Sequence, residues 1–118
     1  MDEVVIYHNP RCSKSRAALA LLQEHGVEPR IVPYLEQPPS AAEIEELLVK
    51  LGAEPRQILR RGEAVYAALG LGDAGKSRAE LIAAMAANPI LIERPIVVRG
   101  ERAVVGRPAE AVVELVAG

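Results

Sequence analysis

The chain has 118 residues, half of them apolar, which is material for one hydrophobic core and not for two, so a single domain over 1–118 is expected. Without Phe or Trp, and with aromatic rings only at Tyr7, Tyr34 and Tyr66, the core must be aliphatic, and a net charge of −2 argues against a large phosphate-binding face for nucleic acid. No apolar run approaches the roughly 20 residues that span a bilayer, and the acidic opening MDEVVIYHNP lacks the basic start of an export signal, so a cytoplasmic chain with no membrane partner is expected.

Residues 3–7 (EVVIY) read as a short buried strand that Asn9-Pro10 stops. Ala18, Leu19 and Leu22 then fall at helical spacing up to Gly26, which suits the position just past a helix end. Residues 30–34 (RIVPY) read as a second strand, with Pro33 marking an edge or a bend. Ser40 with Glu43 forms a capping box after Pro38-Pro39 and opens a helix to about Leu51, closed by Gly52. Pro55 suits the first turn of a helix to about Arg61, and residues 63–69 continue as helix. A second capping box, Ser77 with Glu80, opens a helix to about Ala87 that Asn88-Pro89 ends, so the stretch from about 40 to 88 is a helical insert. Residues 96–98 and 103–105 read as antiparallel strands joined by a type II′ turn with Gly100 first, and Pro108 opens a final helix with Val112, Val113 and Val116 on its apolar face. The order predicts an α/β fold of thioredoxin-like plan: a mixed four-stranded sheet flanked by helices, with a helical insert between strand 2 and strand 3.

Cys12 is the only cysteine, so it cannot close an internal disulfide and is either a small buried hydrophobe or a free thiol. Its neighbours decide for the thiol. It lies between the end of the first strand and the first turn of the first helix, where a thiolate faces the positive end of the helix dipole. Arg11, Lys14 and Arg16 add positive charge, and His8 and Ser15 are the residues expected to tune the thiolate, by charge and by a donated hydrogen bond respectively. Spacing narrows the chemistry. A phosphatase-type loop needs Arg six positions after the cysteine, where this chain has Ala18, and a dithiol oxidoreductase needs a second cysteine three positions on, where it has Ser15. An oxidised Cys12 must therefore be rescued by another molecule.

The stretches YHNPRCSKSR at 7–16, YLEQPPS at 34–40, ILRR at 58–61, YAALGL at 66–71, NPILIERPIVV at 88–98 and GRPAE at 106–110 resemble the glutaredoxin-dependent arsenate reductases of the ArsC family, over nearly the whole chain. The resemblance implies that Cys12 is the nucleophile on arsenate, with Arg60, Arg94 and Arg107 around the oxyanion, and that Pro95 is cis. It also implies that Cys12 displaces an oxygen from arsenic, that glutathione attacks next as co-substrate, and that glutaredoxin then removes the glutathione as arsenite departs. No metal and no tightly bound cofactor are implied, and a monomer is expected. The choice of arginine makes physical sense, since its planar fork of donors suits a tetrahedral oxyanion. Arg61, beside Arg60, is the residue most easily confused with it.

Residues 70–77 (GLGDAGKS) fit the phosphate-loop pattern of nucleotide-binding proteins, and their first six fit the dinucleotide pattern G-x-G-x-x-G. Both need a buried strand leading into the glycines, whereas 63–69 reads as helix and Ser77 already caps the next one, so a flexible loop is the expectation. Two other readings stay open: a regulator that binds RNA polymerase, like Spx, whose usual Cys-x-x-Cys switch is missing here, and a glutathione-linked thiol reductase acting on another substrate.

Overall fold

Four β-branched or aromatic residues in a row, Val4–Tyr7, make strand β1, which is buried for most of its length because it has a neighbour on each side. The computed structural model describes residues 3–117. Helix α1 (Ser13–Glu24) carries the chain across to β2 (Arg30–Val32), which runs parallel to β1 with Ile6 opposite Ile31. α1 ends at Gly26, whose φ of 77° lets Val27 N–H reach back to the Leu22 carbonyl at 2.9 Å. β2 stops at Val32, short of the expected Tyr34, because Pro33 has no N–H for the ladder and its carbonyl instead accepts from Glu36 N and Gln37 N in a turn.

Beyond the helical insert the chain forms a hairpin of β3 (Ile96–Arg99) and β4 (Arg102–Val105), antiparallel to each other, with β3 also antiparallel to β1. Gly100, at φ 60°, makes the turn, as the sequence predicts. The sheet order is β2-β1-β3-β4, so β2 is an edge strand, as Pro33 suggested. Helix α5 (Ala111–Ala117) begins three residues after Pro108 rather than at it, because residues 108–111 first form a turn closed by Ala111 N–H to the Pro108 carbonyl at 3.0 Å. Its buried residues are Val112 and Leu115, with Val116 packed against the same core as expected, so Leu115 takes the place expected of Val113. With Val4, Ile6, Ala18, Leu22 and Val97 they form the core between sheet and helices.

The chain divides into two compact units, one made of the segment up to Gln37 and the segment from Arg94 onward, the other of Pro38–Glu93. The second is the helical insert. Helix α2 (Ala41–Leu51) opens with the Ser40/Glu43 capping box and closes at Gly52, with φ 63°; α3 (Ala64–Ala68) is short; and α4 (Arg78–Ala87) opens with the Ser77/Glu80 capping box. Helix from Pro55 to Arg61 does not form. Only Pro55–Gln57 makes a 3₁₀ turn, after which Leu59 bridges Ile92, with Arg60 N donating to the Leu91 carbonyl at 2.7 Å and Glu93 N to that of Ile58 at 2.8 Å. Paired outward in this way, the backbone at 58–60 has no call for helical bonds. Among the described residues no helix is long and apolar enough to cross a membrane.

The parallel β1-α1-β2 unit, the antiparallel hairpin and the closing helix make the first unit a thioredoxin-like fold. Its tightest point is Gly106, where a Cβ would lie 2.9 Å from Pro95 Cγ and 3.3 Å from both Ala18 Cβ and Val112 Cγ1. A proline ring cannot swing aside, so Gly106→Ala is expected to destabilise the fold by about 1–3 kcal/mol, read as a lower urea midpoint at unchanged slope.

Candidate active site

The sheet register decides what meets at one end of the first unit. Tyr7, the last residue of β1, pairs with Ile96, the first of β3, and Ile96 pairs with Val105, the last of β4. The Cys12 loop after β1, Arg94 before β3 and Arg107 after β4 therefore leave the sheet at the same end. Both arginines precede a cis proline, as the resemblance implied for Pro95; the cis bond at Pro108 was not foreseen. Gly106 N donates to the Pro95 carbonyl at 2.9 Å and ties these two segments together.

The cysteine loop is built by local chemistry. Asn9 and Pro10 occupy the first two positions of a β-turn closed by Cys12 N–H to the Asn9 carbonyl at 3.0 Å, while Asn9 Oδ1 accepts from Arg11 N at 3.0 Å. Cys12, at φ −94° and ψ 122°, is the N-cap of α1, and Arg16 N reaches its carbonyl at 3.0 Å. The thiol is free, half-buried and makes no capping hydrogen bond. The N–H groups of the first helical turn have no intrahelical acceptor, and the helix dipole adds positive potential at the same place.

His8 and Ser15 hold this loop from behind. Both are buried, and His8 Nδ1 lies 2.7 Å from Ser15 Oγ, which also accepts from Asn9 N at 3.1 Å. Burial first, and then the charge of Arg16, hold the His8 pKa below its ordinary value, so the ring is neutral at pH 7. This corrects the expectation that His8 contributes positive charge. With Oγ receiving the Asn9 N–H, its own proton is assigned to Nδ1, which leaves the ring proton on Nε2. Ser15 spends its hydroxyl on His8 and Asn9, so both residues bear on Cys12 by fixing the loop. Asn9 is the third member of this arrangement, and its signal in the sequence was Asn-Pro at the head of a turn. Arg16 Nη1 closes the loop on the Pro10 carbonyl at 2.9 Å, while Lys14 is exposed.

Of the three arginines, Arg94 is half-buried, with Nε and Nη1 shielded from solvent and donating no hydrogen bond, although its side chain has other interactions; Arg107 is more exposed and also engaged. Arg60 belongs to the Pro38–Glu93 unit. Its Nη1 is 2.6 Å from Glu63 Oε2 and 3.4 Å from the Ile90 carbonyl, and its Nε is 4.0 Å from Glu93 Oε1. These carboxylates were not anticipated, although the i,i+3 spacing of Arg60 and Glu63 signals the first. Arg61 is exposed. The 70–77 segment follows helix α3 rather than a strand, and Arg56 ties it down through the carbonyls of Leu71 (2.8 Å) and Asp73 (2.7 Å), so it is a held turn and not a phosphate cradle.

A cavity of about 320 Å³ opens beside the cysteine loop, lined by His8 to Arg11 and by Pro33, Leu35 and Glu36 from the turn after β2.

A thioredoxin-like unit with one cysteine at the head of α1 and two arginine–cis-proline corners at the same end of the sheet defines a single-thiol class of that fold. Residues 7–115 match the ArsC family, and the chain belongs to it. The chain is 46% identical to a Neisseria meningitidis (serogroup B, strain MC58) protein named arsenate reductase, over 93% of this chain and 95% of that one. It is 52% identical to YfgD of Escherichia coli (strain K12), whose name assigns no activity, over 97% of each. Its fold superposes on a solved arsenate reductase from Vibrio cholerae with a TM-score of 0.95 at 50% identity, over 98% of both chains.

Two outcomes follow for the loop. Ser15→Ala strands the Asn9 N–H and leaves Nδ1 without its donor, and is expected to cost about 1–3 kcal/mol in urea unfolding. Because His8 has a lower pKa folded than unfolded, the unfolded chain takes up the proton first as pH falls. Its contribution is complete above pH about 6.5 and is lost progressively below that, down to the folded value. Melting temperatures followed from pH 7.5 to 5 should fall more steeply for the native chain than for His8→Asn, which keeps a partner for Ser15 but does not titrate.

Proposed function

We propose that this protein is a cytoplasmic arsenate reductase, with Cys12 as nucleophile and glutathione and glutaredoxin as the reductant. The observation that carries the reading is the lone thiol at the N-terminus of α1 in a chain of the ArsC family. The names of its relatives and the arginines at the same end of the sheet support it.

In the first step the Cys12 sulfur bonds to arsenic and one arsenate oxygen leaves as water, taking the thiol proton and one from arsenate. Arg94 and Arg107, at the same end of the sheet as Cys12, hold the remaining oxygens. Glutathione then displaces a second oxygen as water. A glutaredoxin thiol attacks the glutathione sulfur, and the bonding pair between that sulfur and arsenic stays on arsenic, reducing As(V) to As(III) as the mixed disulfide leaves. Water finally releases arsenite and returns the proton to Cys12. The absence of a second cysteine fits a cycle whose disulfide forms on another protein. The RNA polymerase regulator gains no support, since the position its switch needs is Ser15, buried against His8.

The test is NADPH consumption by the pure protein with arsenate, glutathione, glutaredoxin and glutathione reductase. Arsenate-dependent consumption that Cys12→Ser abolishes is expected. Arg94→Ala and Arg107→Ala should each lower kcat/KM for arsenate by roughly ten- to a hundredfold, the weight of a lost charged hydrogen bond. No arsenate-dependent consumption above the Cys12→Ser background overturns the reading and turns attention to other glutathione-linked substrates.

A further inference from the structure

The cavity beside the cysteine loop has walls of two kinds. Pro10, Pro33 and Leu35 are apolar, and Leu35 is 40% exposed, high for a large aliphatic side chain. Arg11 and Glu36 bring one positive and one negative charge. Among the described residues neither of these side chains makes a hydrogen bond or an ion pair, with each other or with anything else. Their backbones are nevertheless held: Arg11 N donates to Asn9 Oδ1 at 3.0 Å, and Glu36 N donates to the Pro33 carbonyl at 2.9 Å. Two prolines stiffen the opposing segments, so the backbones that carry the two charges are held in place before binding.

A ligand that matches this surface carries a carboxylate for Arg11, an ammonium for Glu36 and an aliphatic stem between them for the proline and leucine wall. The volume of about 320 Å³ is at the lower end of what small ligands occupy, roughly 300–1,000 Å³. Cys12 does not line the cavity, but Arg11, the residue before it, does, so a ligand here lies against the cysteine loop. An inorganic oxyanion has neither the ammonium nor the stem.

We propose that this cavity seats the small zwitterionic peptide thiol that attacks the Cys12 adduct, with Arg11 on a carboxylate and Glu36 on the ammonium. The identity of the ligand rests on the reductase reading above, whereas the cavity's complementarity to such a ligand does not.

The probe is S-methylglutathione, which has the charges and stem of glutathione but no thiol to be consumed. Calorimetric titration should show saturable binding to the intact chain, weakened about three- to fivefold by Arg11→Gln and by Glu36→Gln, the weight of an exposed ion pair. In the coupled assay Glu36→Gln should raise KM for glutathione by that factor and leave KM for arsenate and for glutaredoxin unchanged, while Arg11→Gln, which also removes a charge from the Cys12 loop, is read by binding alone. Both side chains are exposed, so melting temperatures should not move. Absent binding, binding indifferent to both variants, or a Glu36→Gln effect on KM for arsenate or for glutaredoxin overturns the proposal. Lost turnover with intact, charge-dependent binding overturns the reductase reading and upholds the cavity's assignment.

Discussion

The pairing of Tyr7 with Ile96, and of Ile96 with Val105, is the constraint on which the rest of the site depends. Three chain segments far apart in sequence leave the sheet at one end only because β1 and β4 both run antiparallel to β3. A slip of one residue would turn every inward side chain of β3 to the other face, and Ile96, Val97 and Val98 are all buried. The hydrophobic core and the site are thus one packing problem. Gly106 shows it most directly, since the position that ties the Arg107 segment to the Pro95 carbonyl is also the one with no room for a methyl group.

Around Cys12 the structure separates two tasks that composition alone runs together. Positive potential comes from the head of α1 and from the fixed charges of Arg11, Lys14 and Arg16, while His8 is kept neutral by burial. A neutral imidazole is the better partner for a buried serine hydroxyl, because it accepts that proton without bringing a second charge into the interior. His8, Ser15 and Asn9 therefore form a neutral brace beneath a cationic rim. The brace sets where the sulfur stands, and the rim surrounds it with positive charge.

The Leu59–Ile92 bridge of the insert fixes the backbone on both sides of Arg60, and Glu63 and Glu93 occupy the guanidinium. Two carboxylates lower the cost of holding a half-buried cation in the absence of an anion, and they also compete with any anion that arrives. Arg56 plays the corresponding part for the glycine-rich 70–77 turn, so that two arginines of this unit serve main-chain and carboxylate partners before any ligand.

The local elements were legible in the sequence, and so was Cys12 as the candidate nucleophile. Capping boxes at Ser40/Glu43 and Ser77/Glu80, the glycines at 26, 52 and 100, and the strand stop at Asn9-Pro10 are decided by residues within a few positions of one another, and each is found where the sequence places it. The fold class followed from their order, and Cys12 from being alone in a cationic loop at a helix start. Only the tertiary structure decided the rest. Residues 58–61 have helix-compatible composition, yet the partner for their backbone, at 91–93, lies thirty or more positions away, and no local preference could announce it. Val113 and Leu115 compete for one buried face, and packing chose Leu115. The charge of His8 depends on burial and on Arg16, and the second carboxylate near Arg60, beyond the local Glu63, on where Glu93 comes to lie. In each case the deciding group is distant in sequence or acts through exclusion of water, which is why it appears only once the chain has folded.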